Sequence, residues 1–200
     1  MAEIAPFAAV PRLSHDLCSV RPGSPCARLA VRAAPAARDI VSRRLGVTLP
    51  DMPMTSAMAD SRCALWLGPD EWLVLDWRDR AVGAVRPAAD AAADNVSVVD
   101  VSDRQVAIIV EGEAAADLVN ADSPLDLSLR AFPKGAVART VFGRTEVIVW
   151  RQARDLFHLE VMRSFADYVW RILELAHADI TSDPGTLTSS PDPVRPTRRP

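Results

Sequence analysis

Lysine is almost missing from this chain. Lys134 is the only lysine among 23 basic residues, so arginine carries nearly all the positive charge. Arginine suits protein–protein contact better than lysine, because its planar fork pairs bidentately and is weakly hydrated. A GC-rich genome produces the same bias with no functional meaning. Net charge is −3, and the one dense basic patch, Arg195, Arg198 and Arg199, sits in a proline-rich tail. That pattern excludes the footprint of a nucleic-acid binder. Cysteine is scarce too. Cys18, Cys26 and Cys63 are odd in number and share no CxxC spacing, which predicts no disulfide framework and a reducing cytoplasm. No apolar run approaches the roughly 18 residues of a membrane span. The start, MAEIAPFAAV, lacks a basic n-region and a convincing apolar h-region, so no signal peptide is expected.

Catalytic motifs are equally thin. His15, His158 and His177 are the only histidines, and none falls in HxxxH, HExxH or a paired Cys/His spacing. His15 with Cys18 and Cys26 lacks a fourth metal ligand. His158 alternates with Phe157 and Leu159 and is expected to point outward or sit at a sheet edge. GxSxG, the P-loop and GxGxxG are all absent. VEGEAAADL, residues 110 to 118, offers one glycine before its helix and cannot cradle a pyrophosphate. Asp100 and Asp103 flank Ser102. Such a carboxylate pair suits acid–base work, but an Asx-type turn joining two strands is the simpler reading.

What is present is an alternation of strands and helices. Residues 1–23, with three prolines and no periodicity, predict an extended arm. Residues 181–200 carry five prolines and few apolar side chains, a composition that predicts disorder. Between them, 24–180 reads as one domain. RLAVRA (28–33) alternates as a strand. Ala37, Ile40, Val41 and Leu45 form a helical stripe. CALWL (63–67) and EWLVLDW (71–77) form a hairpin around Gly68-Pro69-Asp70. A helix is expected from Asp79 to Ala93, disturbed by Pro87, then a strand at 95–102. The pattern then recurs: strand 104–112, helix 113–121, strands 137–143, 146–152 and 156–162. A last helix carries Phe165, Tyr168, Val169, Ile172, Leu173 and Ala176 on one stripe, with Ser164 as its cap.

This is an internal repeat, about 28–102 and 104–178. Ala36, Ala37, Asp39, Ile40 and Val41 match Ala114, Ala115, Asp117, Leu118 and Val119, and Leu73 and Leu75 match Phe157 and Leu159. Two strand–helix–strand–strand–helix units predict an α+β architecture of mixed sheets with helices on one side.

The run VVDVSDRQVAIIVEGEAAADLVNADSPLDL (98–127) resembles the aspartate–serine turn, strand and helix of aminomethyltransferase-like, folate-binding domains. LGPDEWLVL (67–75), FPKGAVARTVFGRTEVIVWR (132–151) and SFADYVWRILELA (164–176) add a resemblance to the gamma subunits of heterotetrameric sarcosine oxidases, over about residues 25–178. That family's fold is itself built from a repeat, which agrees with the duplication. The resemblance implies a non-catalytic subunit. It would assemble with alpha, beta and delta subunits that hold FAD, FMN, NAD and zinc, with no cofactor in this chain. Such complexes oxidatively demethylate sarcosine, passing electrons to oxygen and the one-carbon unit to tetrahydrofolate. The chain departs from true aminomethyltransferases in having no room for their further C-terminal barrel domain. Asp100 falls at the strand-turn position, which does not by itself carry a catalytic role over. A stand-alone folate-binding one-carbon protein is the alternative. An iron–sulphur-associated folate-binding paralogue fits less well, since FPKGAVAR (132–139) lacks that family's glycine-cysteine motif, and a structural partner of an unrelated complex stays open.

Trp66, Trp72 and Trp77 crowd the first hairpin. Trp66 is expected opposite Leu65 and Leu67, and Trp72 beside Val74, opposite Leu73 and Leu75. Apolar residues on both faces mean a sheet covered on both sides. The second cover comes either from the other half of the repeat or from a partner. Trp66, Trp72 and Trp150 therefore stand as core residues or as candidates for a subunit interface, with a ligand pocket the remote third reading.

Overall fold

The computed structural model describes residues 12–78 and 96–182. The helix expected from Asp79 to Ala93 and the tail from residue 183 lie outside them. The strands are β1 (Leu13–Ser14), β2 (Ser19–Pro22), β3 (Ala27–Ala33), β4 (Ser56–Ala59), β5 (Arg62–Gly68), β6 (Glu71–Asp76), β7 (Val96–Asp100), β8 (Gln105–Glu111), β9 (Val137–Phe142), β10 (Thr145–Ala153) and β11 (Leu156–Met162). The helices are α1 (Arg38–Leu45), α2 (Ala115–Asn120) and α3 (Ala166–Thr181). The fold is α+β.

Two sheets form, with strand orders β1-β2-β8-β11-β10-β9 and β4-β5-β6-β3-β7. Their pairings are antiparallel. One face of each sheet packs on helices. Ala37, Val41 and Leu45 lie on Leu29, Val31, Trp72 and Val74 of the five-stranded sheet. Leu118, Val119, Val169 and Leu173 lie on Ile108, Val110, Val149 and Phe157 of the six-stranded one. The remaining faces meet each other, with Cys63, Leu65, Leu73 and Leu75 against Val137, Ile148 and Trp150. The molecule is therefore helix, sheet, sheet, helix. The second half of the chain supplies the cover that the first hairpin needs, which is why its strands are apolar on both faces.

The strand orders expose the duplication. β4-β5-β6-β3-β7 runs in the same sense as β9-β10-β11-β8-β2. The structural halves begin one strand earlier than the 28–102 and 104–178 read from the sequence, at β2 and at β7, and the leading strand of each is exchanged, since β2 pairs with β8 and β7 pairs with β3. Hydrogen bonds repeat at the crossings, where Gly23 N donates to Ala107 O (2.8 Å) and Val101 N to Arg28 O (2.8 Å).

Several local expectations need correction. Residues 13–14 and 19–22, expected as part of an extended arm over 1–23, are strands at the edge of the larger sheet, and residues 1–11 of that arm lie outside the described residues. β4 has a polar and alanine-rich sequence, SAMA, and gave no periodic signal. Ile40 is largely exposed, because it lies about 100° around the helix from Val41. α3 has no side-chain cap; Ser164 falls in a 3₁₀ turn, Arg163–Phe165, that precedes it. Phe165 and Tyr168 are partly exposed, and the buried stripe is Ala166, Val169, Trp170 and Leu173. Leu73 and Leu75 do not match Phe157 and Leu159, because the first pair faces the other sheet and the second faces the helices. A one-residue slip in a strand reverses every side chain.

Candidate functional site

Three polar residues meet between the sheets. Arg28 follows Ala27 on β3, and alternation turns it away from Leu29 and Val31, toward the opposite sheet. There it meets Glu160 of β11. Arg28 Nε donates to Glu160 Oε2 at 2.6 Å and Nη2 to Oε1 at 3.1 Å, a bidentate pair. His158 Nε2 lies 2.7 Å from the same Oε1. Arg28 Nη1 donates to Cys26 O at 3.2 Å. All three residues are buried, and Glu160 has no exposed surface. Ala107 stands opposite Glu160 in the ladder, and its small side chain leaves room for the guanidinium.

An aromatic wall flanks this centre. Trp150 is the cross-strand partner of His158, with ring centroids 5.6 Å apart. Trp77 lies 6.3 Å from His158, edge-on, and 6.5 Å from Trp150. His158 therefore faces inward on a central strand, contrary to the outward or edge position expected of it, and its buried ring has found a carboxylate.

The electrostatics suit a lock rather than a reacting group. Desolvation alone would raise the Glu160 pKa; contact with His158 and Arg28 outweighs it, and the carboxyl stays below its ordinary value. Desolvation would lower the Arg28 pKa, and Glu160 outweighs it in the other direction. The thiols beside this centre are protonated. Burial pushes Cys26 up to about 11, despite the opposing pull of Arg28, and Cys63 up to about 12. A thiol so placed is a weak nucleophile.

The tryptophans singled out by the sequence separate. Trp72 is 1% exposed on the helix side, and its indole donates to Pro50 O at 2.7 Å. Trp150 is 2% exposed between the sheets, and its indole donates to Ser56 Oγ at 3.0 Å. Burial inside one chain accounts for both without a partner. Trp66 is half-buried on the α1 side, and its Nε1 has no hydrogen-bond partner among the described residues. The expected facing of Trp66 and Trp72 against their leucine neighbours holds.

Asp100 is exposed and closes an Asx turn. Its Oδ1 accepts from Ser102 N at 2.9 Å and from Ser102 Oγ at 2.6 Å. Ser102 Oγ in turn accepts from Arg28 N at 2.9 Å. The aspartate thus anchors the first half of the chain to the turn that opens the second. Asp103 is tied elsewhere, its carbonyl accepting from Arg163 Nε at 2.8 Å. The two carboxylates do not share a site. Among the described residues no group of three or more His, Cys, Asp and Glu side chains is placed to hold a metal ion. No helix among them is long and apolar enough to cross a membrane.

Sequence reasoning missed Arg28 and Glu160. The one available signal was charge at an inward strand position in each half, read together.

Residues 30–179 match the model of the sarcosine oxidase, gamma subunit family. Sarcosine oxidase subunit gamma from Corynebacterium sp. (strain P-1) is 25% identical over 160 residues, 78% of each chain. The protein of the same name from Arthrobacter sp. is 27% identical over 135 residues, 66% of each. Among solved structures, heterotetrameric sarcosine oxidase from Corynebacterium sp. U-96, in complex with pyrrole 2-carboxylate, contains a chain with the same fold. Its TM-score is 0.75 at 24% identity, over 86% of this chain and 90% of that one. Glycine cleavage system aminomethyltransferase T from Bartonella henselae shares the fold at TM-score 0.56 and 12% identity, over 77% of this chain and 44% of that one.

Proposed function

Because this chain belongs to the sarcosine oxidase gamma subunit family, we propose that it is the gamma subunit of a heterotetrameric sarcosine oxidase and supports assembly rather than chemistry. The observation that carries this reading is the family match over residues 30–179, which takes in nearly the whole two-sheet body. The polar groups at the centre of that body bind one another, as in a scaffold.

In this reading the partners are alpha, beta and delta subunits, and FAD, FMN, NAD and zinc reside in them. The complex oxidatively demethylates sarcosine to glycine, hands the one-carbon unit to tetrahydrofolate and produces hydrogen peroxide. The compartment is the cytoplasm.

Co-expression of the three other subunits with and without this chain tests the proposal. The expected result is a flavin-loaded complex with sarcosine-dependent peroxide formation only when the chain is present. Full activity from the other three subunits alone overturns it. The shared fold with an aminomethyltransferase keeps a folate-binding protein as the second reading. That reading requires the isolated chain to bind a reduced folate, and Asp100→Asn to weaken the binding. As a scaffold, the chain tolerates Asp100→Asn, since the amide oxygen still accepts from Ser102.

A further inference from the structure

The two halves of the body, β2–β6 and β7–β11, share one strand order. Each offers the other an apolar sheet face and a strand to pair. The same geometry would let a half accept its own kind from a second copy of the chain. Side chains must therefore decide which half is accepted.

The ladders show which positions correspond. Asp100 stands opposite Leu29 and Pro22 opposite Ile108. Next to them, Val101 N donates to Arg28 O and Gly23 N to Ala107 O. Arg28 thus corresponds to Ala107. Arg28 stands opposite Leu75 in its own sheet, and Ala107 opposite Glu160 in the other. Leu75 therefore corresponds to Glu160, and by the same register Leu73 corresponds to His158. At these positions the first half carries only the cation, and the second only the carboxylate and its histidine.

Arg28 and Glu160 meet across the sheets at 2.6 and 3.1 Å. The pair can form only between unlike halves. Two first halves would set two guanidiniums beside Leu75, and two second halves two carboxylates beside Ala107. A buried charge without its partner is strongly destabilising. Shape discriminates less. Leu65, opposite Leu73, stands where the second half has Trp150, opposite His158, but apolar packing of roughly the right volume adapts.

We propose that Arg28 and Glu160 form a pairing key, which makes each half of the repeat accept only the other and keeps the chain from joining a second copy, like half to like half. A buried polar residue fixes register and oligomeric state in coiled coils by the same logic. The key acts whether or not the chain joins other subunits.

Refolding of the full chain from denaturant over a range of concentrations, read by size-exclusion chromatography with light scattering, tests it. Wild type should refold as a single copy. Removing either member abolishes the pair, so partner choice should be lost in single and double variants alike. Arg28→Met, and Arg28→Met with Glu160→Leu, should each give about tenfold more dimer than wild type at the same concentration. Stability should not follow that order, since the double variant leaves no unpaired charge and melts nearer to wild type. In dimer refolded from a mixture of isotope-labelled and unlabelled chains, cross-links between acidic side chains should join first half to first half. Arg28→Met with Glu160→Gln, whose amide oxygen still accepts from His158, replaces the leucine version if that one does not refold. A folded double variant with no more dimer than wild type overturns the key and leaves the pair a role in stability alone. Failure of both double variants to refold, cross-links that join only unlike halves, or like-half dimer already in the wild type overturns it as well.

Discussion

Glu160 is the most demanding residue in the molecule. Its carboxylate is fully buried and is held by Arg28 and His158. Removing one partner of such a pair leaves an uncompensated buried charge, at a cost of about 3–5 kcal/mol. Glu160→Ala and Arg28→Ala should each lower unfolding free energy by that order in denaturant titrations. The paired change Arg28→Met with Glu160→Leu should recover most of the loss. The pH dependence has a definite sign. The Glu160 carboxyl titrates below its ordinary value in the folded chain, so its contribution is present above that value and fades as pH falls through the folded pKa. Asp76 shifts in the same direction: desolvation opposes, and Arg62, Arg78 N and Ser61 prevail. Stability measured from neutral pH down into the acid range should fall, and the double variant should fall less steeply. Tryptophans give a second test at this scale. Trp72→Ala should destabilise the free chain by about 3–5 kcal/mol, and Trp66→Ala by distinctly less, since Trp66 is only half-buried.

At the scale of elements, the paired edges decide what the chain tolerates. Gly112 ends β8 at φ +122°, where an added Cβ would meet Leu17 O at 2.4 Å and Cys18 Cα at 2.7 Å. Leu17 O accepts from Ala114 N at 3.1 Å, so the β1–β2 segment is clamped against the start of α2. Gly112→Ala should cost about 1–3 kcal/mol and speed amide exchange across residues 13–22 more than across β10. Legibility follows the same physics. β3, β5, β6, β8, β10 and β11 were readable because each alternates or forms a long apolar run between turn residues. β2 was not, because its pairing with β8 joins Val20 to Val110 across most of the first half. The polar centre was hidden for the same reason, with Arg28 and Glu160 separated by 132 residues. His158 was misplaced because a histidine in an apolar strand reads as an edge residue unless its carboxylate is known. The repeat was visible in the helices, where Ala37 and Val41 match Ala115 and Val119 in position and burial. In the strands it was read one residue out of phase.

Across the whole molecule, two halves that exchange their leading strands make one continuous body. β2 and β7 each complete the other half's sheet, and Arg28 and Glu160 bolt the sheets together from within. Such a body, tied together across its sheets, suits a scaffold, and its family places it among the gamma subunits of sarcosine oxidase. The measurement that tests this most directly is affinity purification of the tagged full chain from its own cells grown on sarcosine. Co-purifying proteins would be identified, the visible spectrum recorded and sarcosine-dependent peroxide assayed. The expected result is a yellow assembly of this chain with three other subunits and with that activity. A colourless, solitary protein would contradict the account.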